Sequence, residues 1–79
     1  MPDILLVDDD RVITRVLPKL ISRNLSLSVI TAESLKDLEK ILEKEVIKLA
    51  ICDYHLPDAE HGEAIDFLLQ RQIPTIVLT

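Results

Sequence analysis

Four short apolar runs, separated by stretches with helical periodicity, constrain the fold more than any other feature of this sequence. The first run, Ile4–Val7, is apolar at every position and stops at three consecutive aspartates. A run without polar alternation is typical of a strand that is buried on both faces, as in a parallel sheet. We therefore predict a strand there and three more strands downstream, at Leu27–Thr31, Ile47–Cys52 and Thr75–Leu78.

The segments between these runs have apolar residues three and four positions apart, which is the pattern of helices with one buried face. The first helix follows an aspartate cap and is predicted to end near Asn24. Pro18 lies inside it and predicts a kink or a split, because proline lacks a backbone donor. Ser34 and Asp37 form a capping-box pattern that opens the second helix. The third helix is predicted at Glu63–Gln70, with these side chains facing inward: Ala64, Ile65, Leu68 and Leu69.

The resulting order of elements, βαβαβαβ, predicts an α/β fold: a doubly wound parallel sheet with helices on both faces. In such sheets ligands bind beyond the carboxyl ends of the strands, near the point where the strand order reverses. Polar residues follow three of the predicted strands, so we expect them to lie at one edge of the sheet: Asp8, Asp9 and Asp10 after strand one, Asp53 after strand three, and Thr79 after strand four.

The acids at this edge need more than one explanation. An aspartate between a strand and a helix is usually a helix cap, but a cap accounts for only one of three consecutive acids. If Asp8, Asp9 and Asp53 converge, two charges about 5 Å apart repel by roughly 3 kcal/mol at an effective dielectric constant near 20. Such a group needs a counter-charge, and hard oxygen ligands suit Mg²⁺, which also binds phosphate oxygens. With the Thr79 hydroxyl nearby, this pattern predicts phosphoryl transfer.

Charge and composition exclude several other classes of function. The net charge is −5 and no basic patch is visible, so we expect no direct contact with nucleic acid. No apolar run approaches the roughly 18 residues of a membrane span, and no signal peptide precedes the first strand, so we expect no membrane contact. The single cysteine, Cys52, lies in an apolar strand and is expected to be an inert core thiol. One cysteine without a disulfide partner suits a reducing compartment, which predicts a cytoplasmic protein.

Three motifs in this sequence resemble those of the receiver domain of two-component response regulators. They read ILLVDDD at residues 4–10, CDYHLP at residues 52–57 and PTIVLT at residues 74–79, and their spacing also fits. The resemblance runs over the whole chain and covers about the first two-thirds of the family's domain. It implies a flavodoxin-like sheet truncated to four strands and three helices, with residues 1–79 as an incomplete receiver domain.

The resemblance implies a role for each matched residue. Asp53 would be the phosphoacceptor, a carboxylate nucleophile that forms an aspartyl phosphate and also contacts the metal. Asp9 would coordinate Mg²⁺ directly, Asp8 would do so directly or through water, and the His55 backbone carbonyl would be a further ligand. Thr79 would donate a hydrogen bond to the phosphoryl oxygen. The donor would be a histidine kinase or a phosphotransfer protein, and phosphorylation would shift the conformation that controls an output domain or effector protein.

The sequence departs from the family pattern at two places. Gly62 lies five positions after Pro57 where the family usually has four, so the path of this loop and any role of Asp58 or Glu60 stay open. The family's fifth strand, which carries a lysine that pairs with the phosphoryl group and an aromatic switch residue, would lie beyond Thr79. Without it, strand four is an exposed apolar edge, which predicts self-association.

Two other functions stay open at this point. One is a receiver-like interaction module that takes up no phosphate. The other is a phosphatase, because Asp8-x-Asp10 after a strand also resembles the first motif of haloacid-dehalogenase-like enzymes, with Asp8 as nucleophile, Asp10 as acid–base and Thr79 in a second motif. That alternative leaves Asp53 and Leu56–Pro57 unexplained. The receiver itself would be a switch, not an enzyme. Residues 53–64 resemble receivers attached to diguanylate cyclase modules, so an enzymatic output would lie outside this chain.

Overall fold

The predicted alternation of strands and helices is confirmed in the computed structural model, which describes residues 2–79. All four strands are parallel and form one sheet in the order β2-β1-β3-β4. The doubly wound α/β prediction is therefore correct. The elements in chain order are β1 (Ile4–Val7), α1 (Arg11–Leu25), β2 (Val29–Ala32), α2 (Leu35–Lys44), β3 (Leu49–Asp53), α3 (Glu63–Gln70) and β4 (Thr75–Leu78).

Both neighbours of β1 begin two residues later than predicted. Their apolar character starts at Leu27 and Ile47, but pairing starts at Val29 and Leu49, the residues opposite Ile4. Because a strand residue needs a partner on the neighbouring strand, the first residue of β1 decides where pairing begins. Both strands also end one residue later than predicted, whereas β1, α3 and β4 have their predicted bounds.

The first helix runs without interruption past Pro18, so the predicted split is wrong and a kink stays a prediction. Asp10 caps its start, because its Oδ1 accepts the N–H of Val12 at 2.9 Å. The helix ends at Leu25, so the predicted end near Asn24 is confirmed to within one residue, and the capping residue Ser26 has left-handed backbone geometry (φ 54°). The Asn24 side chain donates to a carbonyl one turn earlier, which leaves the helical backbone intact.

One face of the sheet carries α2 and α3 and holds the hydrophobic core. Leu38 of α2 and Leu68 of α3 are fully buried there. They belong to one cluster with the alternate strand residues Leu5, Val7, Ala32, Ala50 and Cys52. Leu69, predicted to face inward, is 54% exposed. Successive helix residues are rotated by about 100° around the axis, so Leu69 lies beyond Ile65, at the margin of the buried face of α3.

The opposite face of the sheet carries α1, which contacts β1 and β2. Ile4 and Leu6 are buried, yet none of the residues of α1 is, and Leu20 is 48% exposed. On the edge strand β4, Ile76 and Val77 are also about half exposed, at 50% and 44%. The exposed apolar edge predicted from the sequence is therefore present, and self-association through it stays a prediction.

Candidate functional site

Three carboxylates meet at the carboxyl edge of the sheet. Val7 of β1 is paired with Cys52 of β3, so the residues that follow them, Asp8 and Asp53, are neighbours. One carboxylate oxygen from each of Asp8, Asp9 and Asp53 lies within 4.8 Å of the other two. The strand order reverses at β1, so this group, the acidic cluster, occupies the position where open α/β sheets bind ligands. The predicted convergence of these three residues is confirmed.

Asp8 is the one buried charged or polar residue among residues 2–79, with 6% exposure. Its Oδ1 accepts the N–H of Asp10 at 2.9 Å, and its own N–H donates to the carbonyl of Ala32 at 3.0 Å. Burial raises the pKa of the Asp8 carboxyl, and the charges of Asp53 and Asp9 add to the rise against the opposing effect of the Asp10 N–H. The ionised form of Asp8 is thus held at a free-energy cost.

Side-chain cations do not offset this charge within the described part of the chain. The one ion pair found in residues 2–79 joins Arg11 Nε to Glu33 Oε1 at 3.9 Å, and both side chains are exposed. The acidic cluster therefore offers three oxygen donors with an uncompensated negative charge, one of them buried. Hard oxygen donors of this kind fit Mg²⁺.

The chain turns away from the sheet immediately after Asp53. Asp53 is half-buried and paired with Leu78 of β4, and the N–H of Tyr54 donates to the Leu78 carbonyl at 2.9 Å. The Asp53 Oδ1 accepts the N–H of His55 at 3.3 Å. These bonds fix the start of residues 54–62, which we call the Asp53 loop.

A tight turn in the middle of this loop faces the core. Leu56 and Ala59 are buried and exchange two backbone hydrogen bonds, at 3.2 and 3.1 Å, around Pro57 and Asp58. Proline suits the first central position of such a turn because its φ is already fixed. The path of the longer loop, open from the sequence, is therefore set by a buried turn and not by the solvent-exposed residues after it.

His55 and Gly62 close the loop. The His55 Nδ1 lies 3.0 Å from the Glu60 carbonyl, and since a carbonyl only accepts, Nδ1 carries the hydrogen in this bond. The His55 ring also meets the Tyr54 ring edge-on, with centroids 4.8 Å apart. Gly62 has φ +78°, and a Cβ there would lie 2.7 Å from Tyr54 Cε2. A glycine is thus favoured both by the backbone and by the tyrosine ring.

A cavity of about 340 Å³ opens beside the acidic cluster, which it meets at Asp9. The volume has room for a small anion with its waters. The residues that line it are Asp9, His55, Leu56, Pro57, Glu60 and His61. A larger depression of about 450 Å³ lies beside Ile30 and the end of α2 and shares none of these residues.

Asp58 has a contact that the sequence did not reveal. Its Oδ1 accepts the N–H of Leu35 at 2.8 Å and its Oδ2 accepts the N–H of Lys36 at 3.0 Å. These bonds, that from Leu35 foremost, hold the pKa of Asp58 below its ordinary value. The predicted cap of α2 is also present, because Ser34 Oγ accepts the N–H of Asp37 at 3.1 Å. No local pattern links Asp58 with a helix 22 residues away.

Two more residues were singled out from the sequence: Thr79, which follows β4, and Cys52, which precedes Asp53. Thr79 is exposed and follows Leu78, the partner of Asp53, so it lies at the same edge of the sheet. Its role toward a phosphoryl group stays a prediction. Cys52 is fully buried, and burial raises the pKa of its thiol to about 12. It is a core thiol, as expected.

Comparison with known protein families explains the arrangement. The family model described as "Response regulator receiver domain" matches residues 4–79. The chain belongs to this family. This receiver domain therefore has the fold and the signalling class that its motifs predicted, and membership favours that interpretation over the phosphatase alternative. No match was found among curated proteins. In residues 2–79 no helix has the length and apolar character needed to cross a membrane.

Solved structures similar to this receiver domain include the MaeR response regulator bound to beryllium trifluoride, with a TM-score of 0.85, 22% identity and coverage of 100% of this chain and 67% of that one. The non-phosphorylated HemR receiver domain from Leptospira biflexa has a TM-score of 0.85 and 23% identity, over 100% of this chain and 64% of that one. These two show the fold alone. A putative two-component response regulator/GGDEF domain protein is 32% identical, with a TM-score of 0.85, over 100% of this chain and 32% of that one.

Proposed function

We propose that this receiver domain is a phosphoacceptor switch in which Asp53 takes a phosphoryl group from a phosphohistidine in a reaction that depends on Mg²⁺. The observation that carries the proposal is the acidic cluster, whose three carboxylates lie within 4.8 Å of one another. Asp8, Asp9 and Asp53, with the backbone carbonyl of His55, would hold the ion. When bound, Mg²⁺ neutralises these carboxylates and the charge that develops on the transferred phosphoryl oxygens.

Asp53 is the nucleophile that the environment of the cluster favours. Asp8 is almost fully buried and its pKa is raised, so its carboxylate is poorly placed for an incoming donor. Asp53 is half-buried and therefore more accessible, and its Oδ1 accepts the His55 N–H. An Asp53 oxygen attacks phosphorus as the bond from phosphorus to the donor's imidazole nitrogen breaks. The bonding electron pair returns to the imidazole, which then takes up a proton.

The new phosphoryl group changes the balance between conformations of the loops around it. It adds negative charge beside Asp9 and the Asp53 loop, and the Thr79 hydroxyl would donate to one of its oxygens. A conformation in which these groups contact the phosphoryl oxygens gains population over one in which they do not. The donor would be a histidine kinase or a phosphotransfer protein, and the receiver would act in the cytoplasm. The receiver would act on an output domain or effector protein, and the similar GGDEF-domain protein shows one output that accompanies this fold.

Labelling with a radioactive phosphohistidine or acyl-phosphate donor tests this proposal. We expect Asp53→Asn to abolish incorporation while the far-UV circular dichroism stays unchanged, because the amide is a poor nucleophile of nearly the same shape. Asp66→Asn, on α3, is the matched control and should be labelled like the wild type. Label that persists in Asp53→Asn, or that maps to Asp8, would contradict the assignment.

A magnesium titration separates the switch from an interaction module that takes up no phosphate. We expect Mg²⁺ to change the fluorescence of Tyr54, the residue next to Asp53, and we expect Asp9→Asn to weaken that response. If no Mg²⁺ effect depends on Asp9 and Asp53, the module without phosphorylation is the correct function.

A further inference from the structure

We propose that Asp58 is a positioning residue for the phosphoryl-transfer site: its carboxylate ties the Asp53 loop to the start of α2 and so holds the His55 carbonyl in place. This inference rests on the proposed function, because it concerns a ligand of the proposed Mg²⁺ site. Asp58 does not contact the acidic cluster itself. It would act through the turn that separates it from His55.

The start of α2 depends on Asp58 for two of its hydrogen bonds. The first N–H groups of a helix have no acceptor within the helix, so side chains must supply one. Ser34 accepts the N–H of Asp37, and Asp58 accepts those of Leu35 and Lys36 at 2.8 and 3.0 Å. A carboxylate is favoured at this position because the helix dipole places positive charge there. The local cap is thus already present, and what Asp58 adds is a connection between two distant segments.

The tight turn transmits this connection toward the site. Leu56 and Ala59 are buried and joined by two backbone bonds, so Pro57 and Asp58 move with them as a unit. His55 immediately precedes this unit. The N–H of His55 donates a hydrogen bond to Asp53 Oδ1. The Nδ1 of its ring donates a second hydrogen bond to the Glu60 carbonyl. With Asp58 released, the turn loses its outer anchor and the backbone at His55 gains freedom.

A pair of variants separates this role from simple helix capping. Asp58→Ala removes the connection to the loop, whereas Ser34→Ala removes a cap of the same helix and leaves the connection intact. We expect Asp58→Ala to raise the Mg²⁺ dissociation constant about three- to tenfold, because a smaller fraction of molecules holds the binding conformation. Ser34→Ala should change it by less than about twofold while lowering the melting temperature comparably. Asp58→Asn, which keeps one acceptor, should fall between.

Amide hydrogen exchange gives a readout that does not need the metal. We expect faster exchange at Leu56 and Ala59 in Asp58→Ala and unchanged exchange there in Ser34→Ala. Equal dissociation constants for the two alanine variants would overturn the proposal, since Asp58 would then be only a cap. If the wild-type chain binds no Mg²⁺, the proposed function fails, and exchange alone decides: faster exchange supports the connection and unchanged exchange overturns it. If Asp58→Ala does not fold, Asp58→Asn replaces it in both measurements.

Discussion

The two faces of the sheet are covered very differently. On one face, α2 and α3 contact each other and bury Leu38 and Leu68 completely against the alternate residues of β1 and β3. On the other face, α1 is the longest helix of the described chain, yet it buries none of its own residues. Both faces carry helices with the same apolar spacing. The difference shows that a periodic stripe indicates which side of a helix is apolar, but not how much protein covers it.

The acidic cluster lies where these two regions meet. Asp8 and Asp9 follow β1 and lead into α1, whereas Asp53 ends β3 and leads through the Asp53 loop toward α3. The well-packed face therefore anchors Asp53, and the sparsely packed face begins at the other two acids. Three sets of substitutions test whether the faces differ in stability as they do in burial.

The largest expected effect separates the two faces directly. Leu68→Ala should lower the free energy of unfolding by about 2–5 kcal/mol, because it leaves a cavity in the core. Leu20→Ala, on α1, should lower it by less than about 1 kcal/mol, because that side chain is already half exposed. Urea denaturation followed by circular dichroism gives both values. Similar losses for the two variants would mean that α1 is covered in solution, and the contrast between the faces would be wrong.

A substitution at the start of α3 tests how rigidly the packed face holds the loop. Gly62→Ala should destabilise the fold by about 1–3 kcal/mol, because its φ of +78° disfavours a side chain and the new Cβ meets Tyr54 Cε2 at 2.7 Å. The double variant with Tyr54→Ala should lose less than the sum of the single variants, because only the backbone cost remains. Strict additivity in thermal denaturation would show that the ring does not restrict this position.

The smallest expected effect concerns the junction and carries a pH dependence. Without Mg²⁺, Asp8→Asn should stabilise the fold by on the order of 1 kcal/mol near neutral pH, since it removes a buried charge repelled by Asp53 and Asp9. The pKa of Asp8 is raised in the folded state, so its protonated form favours folding. That contribution is complete below the ordinary pKa of 3.8 and is lost as the pH rises through the folded-state pKa.

The gain from Asp8→Asn should therefore shrink as the pH falls toward 4, and adding Mg²⁺ should stabilise the wild type more than the variant. Glu39→Gln, an exposed change on α2, is the charge control and should show neither trend. If the stabilisation by Asp8→Asn does not vary with pH, repulsion of the ionised Asp8 carboxylate is not its cause.

The sequence predicted the order of elements and the acidic cluster because both follow from local patterns. An unbroken apolar run ending in acids identified β1, and the parallel topology alone brought Asp53 beside Asp8. Features that depend on distant partners were missed. The start of β2 depends on its register with Ile4 of β1. The exposure of Leu69 depends on which residues lie beside α3. The capping of α2 by Asp58 joins segments 22 residues apart. The split predicted at Pro18 is wrong, since α1 continues through that residue as one helix.

The burial of Cys52 has a practical consequence. This is the one thiol of the chain, it precedes the proposed phosphoacceptor, and no part of it reaches solvent in the folded state. Because burial also raises its pKa to about 12, a thiol-modifying reagent can attack only when the core around Cys52 opens. The rate of modification therefore measures how often this part of the core opens. Comparing that rate with and without an acyl-phosphate donor would show, without any added label, whether phosphorylation tightens or loosens the strand that ends at Asp53.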